Sequence, residues 1–467
     1  MTQPGPIAAS PQQALASLQA AFDSGRHTPI ATRIAARLAA LRSLDAGLAT
    51  HEAALVQALA DDLGKPGFEA YTSDILPVRF EIRLAIRHLR RWAARRPVRT
   101  AWHHWPARAH VVMEPLGPVL VLSPWNYPVQ LSLLPVVSAI AAGNTVLLKP
   151  SEFAPATAAA LARLLEDSLP GLAKVLQGDA AVAAALTALP WAHVFFTGST
   201  PVGRKVAAAA AASLAPCTLE LGGCNPCIVD ATADIALTAR RIVWGKFLNA
   251  GQTCLAPNHL LVHHSRFDVL LAAIKATLTA HYGADGSGAQ RLAHQAHYAR
   301  VAALLQQGRH QGRVAHGGAT DPARLHVAPT VLTDLPPDSA LLHQEIFGPI
   351  LPMLPWHDES AMLRQAAAGP SPLAVYVHSR DDAFIARVQA ATGSGALVVN
   401  DNIVQATVPL LPFGGLGASG SGRSHGQAGF DAMSNARSVY RASGRIDLPM
   451  RYPPYEGKLA WVKRLMG

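Results

Sequence analysis

The residues best suited to chemistry stand at turns. In Asn249-Ala250-Gly251-Gln252-Thr253-Cys254 a cysteine follows a Gly-containing polar turn, next to an apolar helix expected over 242–248. A thiol on a turn can reach a bound carbonyl, and local backbone N–H groups favour its thiolate. The competing reading is a buried apolar side chain, since most free cysteines are inert. Glu220 precedes Gly222 and Gly223, where the chain can turn sharply and a ligand can approach. With a pKa raised by burial it could deprotonate water, whereas a surface or capping role is the plainer alternative. Asn126, in Pro124-Trp125-Asn126-Tyr127-Pro128, offers a side-chain amide to a developing oxyanion. An isolated turn asparagine more often bonds its own backbone.

A second group of residues suits an anionic nucleotide. Phe196 to Gly203 reads as strand, turn and helix start, so free N–H groups near Gly198, Ser199, Thr200 and Gly203 favour a phosphate. It is not the G-x-G-x-x-G fingerprint, and a plain strand-to-helix turn explains it too. Lys149 and Glu152 end another strand with a cation and a carboxylate suited to a ribose diol, or to a structural ion pair. Glu345 and Phe347, before a Gly-Pro break, could hold a second ribose and brace a flat ring. Cys224-Asn225-Pro226-Cys227 is a C-x-x-C without a second ligand pair, so core packing of Cys227 is expected and no metal site.

The elements that must position these residues follow from periodicity. Helical spacing runs over 10–63 and again over 71–94. Short β-branched or Leu-rich runs follow at 119–122, 145–148, 193–196 and 227–229, with helices over 156–169 and 202–214. That alternation predicts parallel βαβ units and a doubly wound α/β fold. A second α/β set is expected after 219, with strands at 259–263, 350–354, 374–378 and 397–400. Residues 99–112 show neither period. The apolar tract 116–148 is too often broken by Pro and Asn to span a membrane, and reads as strand, loop and helix.

Composition narrows the function classes. The 467 residues are half apolar and 15% charged, a globular composition with room for two or three domains. The formal charge of +10 comes from scattered cations, so no nucleic-acid partner is expected. Four cysteines make no disulfide framework, and residues 1–20 lack the pattern of a signal peptide, so a cytoplasmic location is expected. The short amphipathic end 458–467 is expected to dock or fray, without stable membrane insertion.

Taken together, P-W-N-Y-P, L-K-P-S-E, T-G-S-T-x-x-G, E-L-G-G, G-Q-T-C and E-I-F-G-P resemble, in this order, the aldehyde dehydrogenase superfamily. The segments 244–247, 254–257, 411–415 and 424–426 look like its class 3 and coniferyl-aldehyde branch, and the resemblance covers roughly 56–454. It implies oxidation of an aldehyde to a carboxylic acid with reduction of NAD, or of NADP, through a cysteine thiohemiacetal and thioester. Cys254 would be the nucleophile, Glu220 the general base, and Asn126 with the Cys254 backbone N–H the oxyanion hole. Lys149 and Glu152 would face the adenosine ribose, Gly198, Ser199, Thr200 and Gly203 the pyrophosphate, and Glu345 and Phe347 the nicotinamide half.

The implied fold has a Rossmann-like cofactor domain (1–98 and 114–218), an α/β catalytic domain (219–412), and an oligomerisation arm with a C-terminal tail (99–113 and 413–467). A homodimer follows. The sequence departs from the family pattern at Cys224, Gln344 and Ser424, where Lys, a second acid and Tyr are common. Two other classes stay open on the residues alone: a basic binding protein without turnover, and a thioester hydrolase that needs no nucleotide.

Overall fold

The computed structural model describes residues 10–26 and 28–466. The tract 116–148 forms strand Pro118–Leu122, a loop, helix Gln130–Ala142 and strand Thr145–Lys149, with every residue of both strands buried. Burial on both faces is what a parallel sheet covered by helices demands, and it explains the unbroken apolar runs. No described helix is long and apolar enough to cross a membrane.

These strands belong to a six-stranded sheet in the order 420–421, 217–221, 193–198, 118–122, 145–149, 173–175. All its pairings are parallel except that of Gly420–Ser421 with Cys217–Leu221. From 118–122 the chain steps outward to one edge, then returns to 193–198 and steps to the other. The crevice at the carboxyl ends of 118–122 and 193–198 is therefore the topological switch point, where doubly wound sheets bind ligands.

A seven-stranded sheet follows in the order 313–316, 330–333, 350–356, 259–263, 226–229, 374–378, 396–399. Strand Pro226–Val229 is thus a central member of the second sheet. Over the first sheet, helices Ile30–Thr50 and Leu76–Trp92 pack against helix Gln130–Ala142 and helix Glu52–Leu63 against helix Pro155–Ser168, with Leu41, Leu44, Leu48, Leu55 and Leu89 all fully buried in one core. Burying each such leucine contributes roughly 2 kcal/mol.

Some local expectations shift. The helical spacing over 10–63 is three helices, Pro11–Arg26, Ile30–Thr50 and Glu52–Leu63. That over 71–94 opens with a π-helical turn, Ala70–Ile75, and continues as Leu76–Trp92, with Pro77 in its first turn. There a missing N–H costs little. The helix expected over 242–248 begins earlier, as Ile235–Phe247, capped by the Asp234 carboxylate. Residues 99–112 include the start of strand Arg108–Pro115, paired with Ser434–Arg441 on one side and Arg96–Val98 on the other. Only Met113 of that strand is buried, so no alternation marks it. Nearby, Trp102 and Trp105 are exposed.

Candidate active site

The cysteine loop leaves helix Ile235–Phe247 through three successive left-handed residues, Asn249 (φ 53°), Ala250 (φ 54°) and Gly251 (φ 72°). Two of them carry a Cβ, a conformation that costs of order 1 kcal/mol or more each and persists only when held by its surroundings. The hold is visible. Asn249 Nδ2 donates to the Asn126 carbonyl at 2.8 Å, Gln252 Nε2 to the Asn249 carbonyl at 3.0 Å, and Ala293 N to Gln252 Oε1 at 2.9 Å. A Cβ on Gly251 would run into the Gly348 carbonyl, so this turn admits only glycine. Beyond it, Asn225 Nδ2 donates to the Cys254 carbonyl at 2.7 Å, while Asn225 Oδ1 accepts from Ala374 N. The cysteine is thereby tied to the central strands of the second sheet.

Asn126 stands at the switch point of the first sheet, on the loop after Pro118–Leu122, and is buried. Its Nδ2 donates to the Gln252 carbonyl at 3.0 Å, two residues from Cys254. One hydrogen of the amide is so engaged, leaving the other for a second acceptor. The Asn126 carbonyl is also held by Lys65 Nζ at 3.0 Å. Lys65 in turn pairs with Asp74 at 2.6 Å, both side chains fully buried, and Asp74 Oδ1 accepts from Val129 N and Gln130 N. Next door, Tyr127 bonds Thr253 Oγ1 through its hydroxyl at 2.7 Å, under the Lys65 ammonium.

Glu220 lies within strand Cys217–Leu221, opposite Gly420, ahead of the glycine turn and not in it. Ser424 Oγ donates to its Oε1 at 3.1 Å, whereas Oε2 is buried without a partner among the described residues. Desolvation raises its pKa to about 8 against the opposing pull of Ser424 and Arg423. Cys254 is also displaced upward, to about 12, by desolvation first and then by Glu345 and Glu220; the N–H groups of residues 254 and 255 pull the other way. Both carboxyl groups thus lie within electrostatic reach of the thiol.

Glu345 arrives from the loop before strand Ile350–Trp356, and its carboxylate lies over Gly222, where any Cβ would collide with it. Gly223 N donates to Glu345 Oε1 at 3.3 Å. Burial raises its pKa to about 7, and burial lowers that of Lys246, a neighbour on helix Ile235–Phe247, also to about 7. Cys224 shares this pocket, its thiol pushed to about 12 by burial and by Glu345. Cys227 sits instead in the core of strand Pro226–Val229, its sulfur against Asn402. The loop carrying Glu345 and Phe347 is held from one side: Arg300 donates to the carbonyls of Glu345 and Ile346, and His297 Nε2 to that of Phe347 at 2.9 Å. Phe347 itself is left-handed (φ 48°) and meets Trp125 edge to face at 5.6 Å.

At the carboxyl edge of the first sheet, Lys149 Nζ and Glu152 Oε2 pair at 2.7 Å, the lysine buried and the carboxylate about one-third exposed. Helix Thr200–Ala212 starts at the same edge, after strand His193–Gly198 two places along the sheet. Ser199, at its cap position, makes no side-chain cap bond, which leaves the first-turn N–H groups for an anion. Thr200 Oγ1 donates to the Ala418 carbonyl at 3.0 Å, and Gly203 lets the helix approach Leu221 closely. Cation, diol-sized carboxylate and uncapped helix end fit a dinucleotide laid across the switch point.

A family model described as "Aldehyde dehydrogenase family" matches residues 7–439. The chain belongs to the aldehyde dehydrogenase family. It is 40% identical to aldehyde dehydrogenase family 3 member H1 of Arabidopsis thaliana, over 89% of this chain and 87% of that one. It is 38% identical to 4,4'-diaponeurosporen-aldehyde dehydrogenase of Staphylococcus aureus, over 91% and 93%. Among solved structures, the substrate-bound state of Staphylococcus aureus AldH superposes with TM-score 0.93 at 36% identity, covering 98% of this chain and 99% of that one. The Mycobacterium tuberculosis aldehyde dehydrogenase complexed with NAD+ gives 0.85 at 28% identity, covering 94% and 91%.

As a class 3-like aldehyde dehydrogenase, this protein oxidises an aldehyde to a carboxylic acid with NAD(P)+ through a cysteine-bound intermediate. The expected residues fall in two groups. Cys254, Glu220, Asn126 and Glu345 meet at the junction of the two sheets, while Lys149, Glu152 and the 198–203 turn line the switch-point edge. Sequence reasoning passed over Lys65, Asn225, Lys246, His297, Arg300 and the role of Ser424. Lys246 carried the one available signal, a lysine within an apolar helical stretch, whereas Lys65 lies outside the helices, between Gly64 and Pro66, and carried none.

Proposed function

We propose that Cys254 is the nucleophile of this aldehyde dehydrogenase, Glu220 its general base, and Asn126 Nδ2 with the Cys254 backbone N–H the oxyanion hole. The single observation that carries this reading is the convergence of the buried Asn126 amide, the buried Glu220 carboxyl and the Cys254 loop from three separate elements. An aldehyde is a poor hydride donor until addition converts its carbon to a tetrahedral alkoxide. Cys254 gives up its thiol proton to solvent and adds as the thiolate to form that alkoxide, and the free hydrogen of Asn126 Nδ2 stabilises it. A nicotinamide dinucleotide, when bound, supplies the hydride acceptor. The resulting thioester is released by a water whose proton passes to a Glu220 carboxylate oxygen. Replacing Cys254 by Ala should abolish NAD(P)H formation with any aldehyde; retained turnover would refute the assignment.

In this reading the segments 1–98 and 114–218 hold the cofactor: Lys149 and Glu152 at the adenosine ribose, Gly198, Ser199, Thr200 and Gly203 at the pyrophosphate, and Glu345 and Phe347 at the nicotinamide half. Glu152 would repel a 2′-phosphate, which favours NAD over NADP. Segment 219–412 is catalytic. Segments 99–113 and 413–467 form the arm of a homodimer and the tail, and the enzyme works in the cytoplasm.

The substrate class follows from the space beside the cysteine. A cavity of about 220 Å³ includes Leu255, the residue after the cysteine, and is lined by Leu373, Leu397, Leu411 and Phe413 with Gln405 as its one polar side chain. Such walls reward apolar surface, about 0.8 kcal/mol per buried methylene, so apolar aldehydes are the proposed substrates. The relative from Staphylococcus aureus is named for 4,4'-diaponeurosporen-aldehyde. A panel from acetaldehyde to decanal with each cofactor tests this: kcat/KM should climb on the order of tenfold or more from acetaldehyde to hexanal. A flat series would contradict it.

A further inference from the structure

A cavity with a charged lining lies away from the catalytic centre, at the opposite edge of the first sheet. It measures about 260 Å³ and is walled by Phe22, Ala36, Ile140 and Leu172, with Arg33 and Arg37 in its lining and no acidic residue. Thr145, which also lines it, begins the strand whose last residue is Lys149, so the cavity is about 13 Å of strand length from the cofactor edge.

The two guanidinium groups lack charge compensation. Neither forms an ion pair with a described carboxylate, and the sequence outside the described residues, 1–9, 27 and 467, contains no Asp or Glu. Arg33 Nε is buried without a partner among the described residues. Arg37 lies across Gly143 and reaches the Ala141 carbonyl at 3.4 Å, the long end of hydrogen-bond distance. Burial and the neighbouring Arg33 lower its pKa to about 10. A buried donor and two adjacent cations at an apolar void favour an anion with an apolar body.

We infer that this cavity, between helices Pro11–Arg26 and Ile30–Thr50, binds a medium-chain aliphatic carboxylate, with its carboxylate on Arg33 and its chain along Phe22, Ile140 and Leu172. The volume, just under the ~300 Å³ at which drug-sized pockets begin, suits such a chain and excludes a dinucleotide. Aliphatic carboxylates are what this enzyme forms from aliphatic aldehydes, so the site would sense its product. Occupancy ties the N-terminal helix to the sheet and stabilises the folded chain by mass action.

The test uses the full-length enzyme with sodium decanoate as probe and 1-decanol as the uncharged control, read by isothermal titration and thermal unfolding. Decanoate should bind and raise Tm, and 1-decanol should bind at least tenfold more weakly. Arg33→Gln should weaken decanoate binding at least tenfold and abolish the Tm rise, Arg33→Lys should retain most of it, and kcat/KM for benzaldehyde should stay unchanged in both. No binding, or equal binding by the parent and Arg33→Gln, overturns the proposal; the latter result would assign the acid to the catalytic centre alone.

Discussion

Cys254 and Glu220 are acids in a space that disfavours charge, and their reactivity is set by the few groups that counter burial. For Glu220 that group is Ser424, whose hydroxyl donates to the carboxylate against a desolvation that raises the pKa to about 8. The base form is the carboxylate, so its fraction rises with pH, and kcat should climb between pH 6 and 9 with an apparent pKa near 8 where thioester hydrolysis limits the rate. Ser424→Ala removes a bond to the charged form, so the apparent pKa should move up and kcat at pH 7 fall about threefold, the loss being recovered at higher pH. A pH profile of both enzymes checks the sign: a loss equal at all pH values would mean that Ser424 does not act through Glu220. At the cofactor edge, Glu152→Gln should raise kcat/KM with NADP+ relative to NAD+ by about tenfold, the effect of ~1.4 kcal/mol of relieved repulsion.

At this scale the structure brings together residues whose short motif carries both the polar atom and its turn. Cys254, Asn126 and Glu345 are of that kind. Lys246, Asn225 and Ser424 are not, because what each does is decided by a partner far along the chain: Ser424 meets Glu220 across 204 residues. No local pattern encodes such a pairing.

Among elements, the buried Lys65–Asp74 pair is the part on which the proposed oxyanion side rests, since Lys65 also holds the Asn126 carbonyl. Removing one member of such a pair leaves an uncompensated buried charge, typically at a cost of about 3–5 kcal/mol. Lys65→Met should therefore lower stability by roughly 3 kcal/mol in urea unfolding and reduce kcat more than it raises KM. An unaltered midpoint would show that Asp74 is satisfied by Val129 N and Gln130 N alone. The strands of both sheets were readable as apolar runs because parallel sheets are covered on two faces. Strand Arg108–Pro115 escaped because only Met113 in it is buried.

Over the whole molecule, the two sheets bring the Cys254 loop and the switch-point crevice to one junction. The three-stranded sheet of 96–98, 108–115 and 434–441 stands apart from them, its strand Ser434–Arg441 largely exposed. An exposed edge strand of this length is a template for another chain, which supports the arm assignment. Sedimentation equilibrium should give twice the chain mass, and a single-chain mass at micromolar concentration would contradict it. Which faces meet was never legible, since composition and periodicity describe one chain folding on itself.

The claim at the centre of all three scales is that an acyl group rests on Cys254 during turnover. Rapid-quench peptide mass spectrometry of Glu220→Gln mixed with hexanal and NAD+ tests it most directly, because hydrolysis is slowed while acylation is retained. The peptide bearing Cys254 should carry a hexanoyl group in close to one equivalent. NADH formed in stoichiometric amount without that adduct, or the adduct on Cys224, would contradict the assignment.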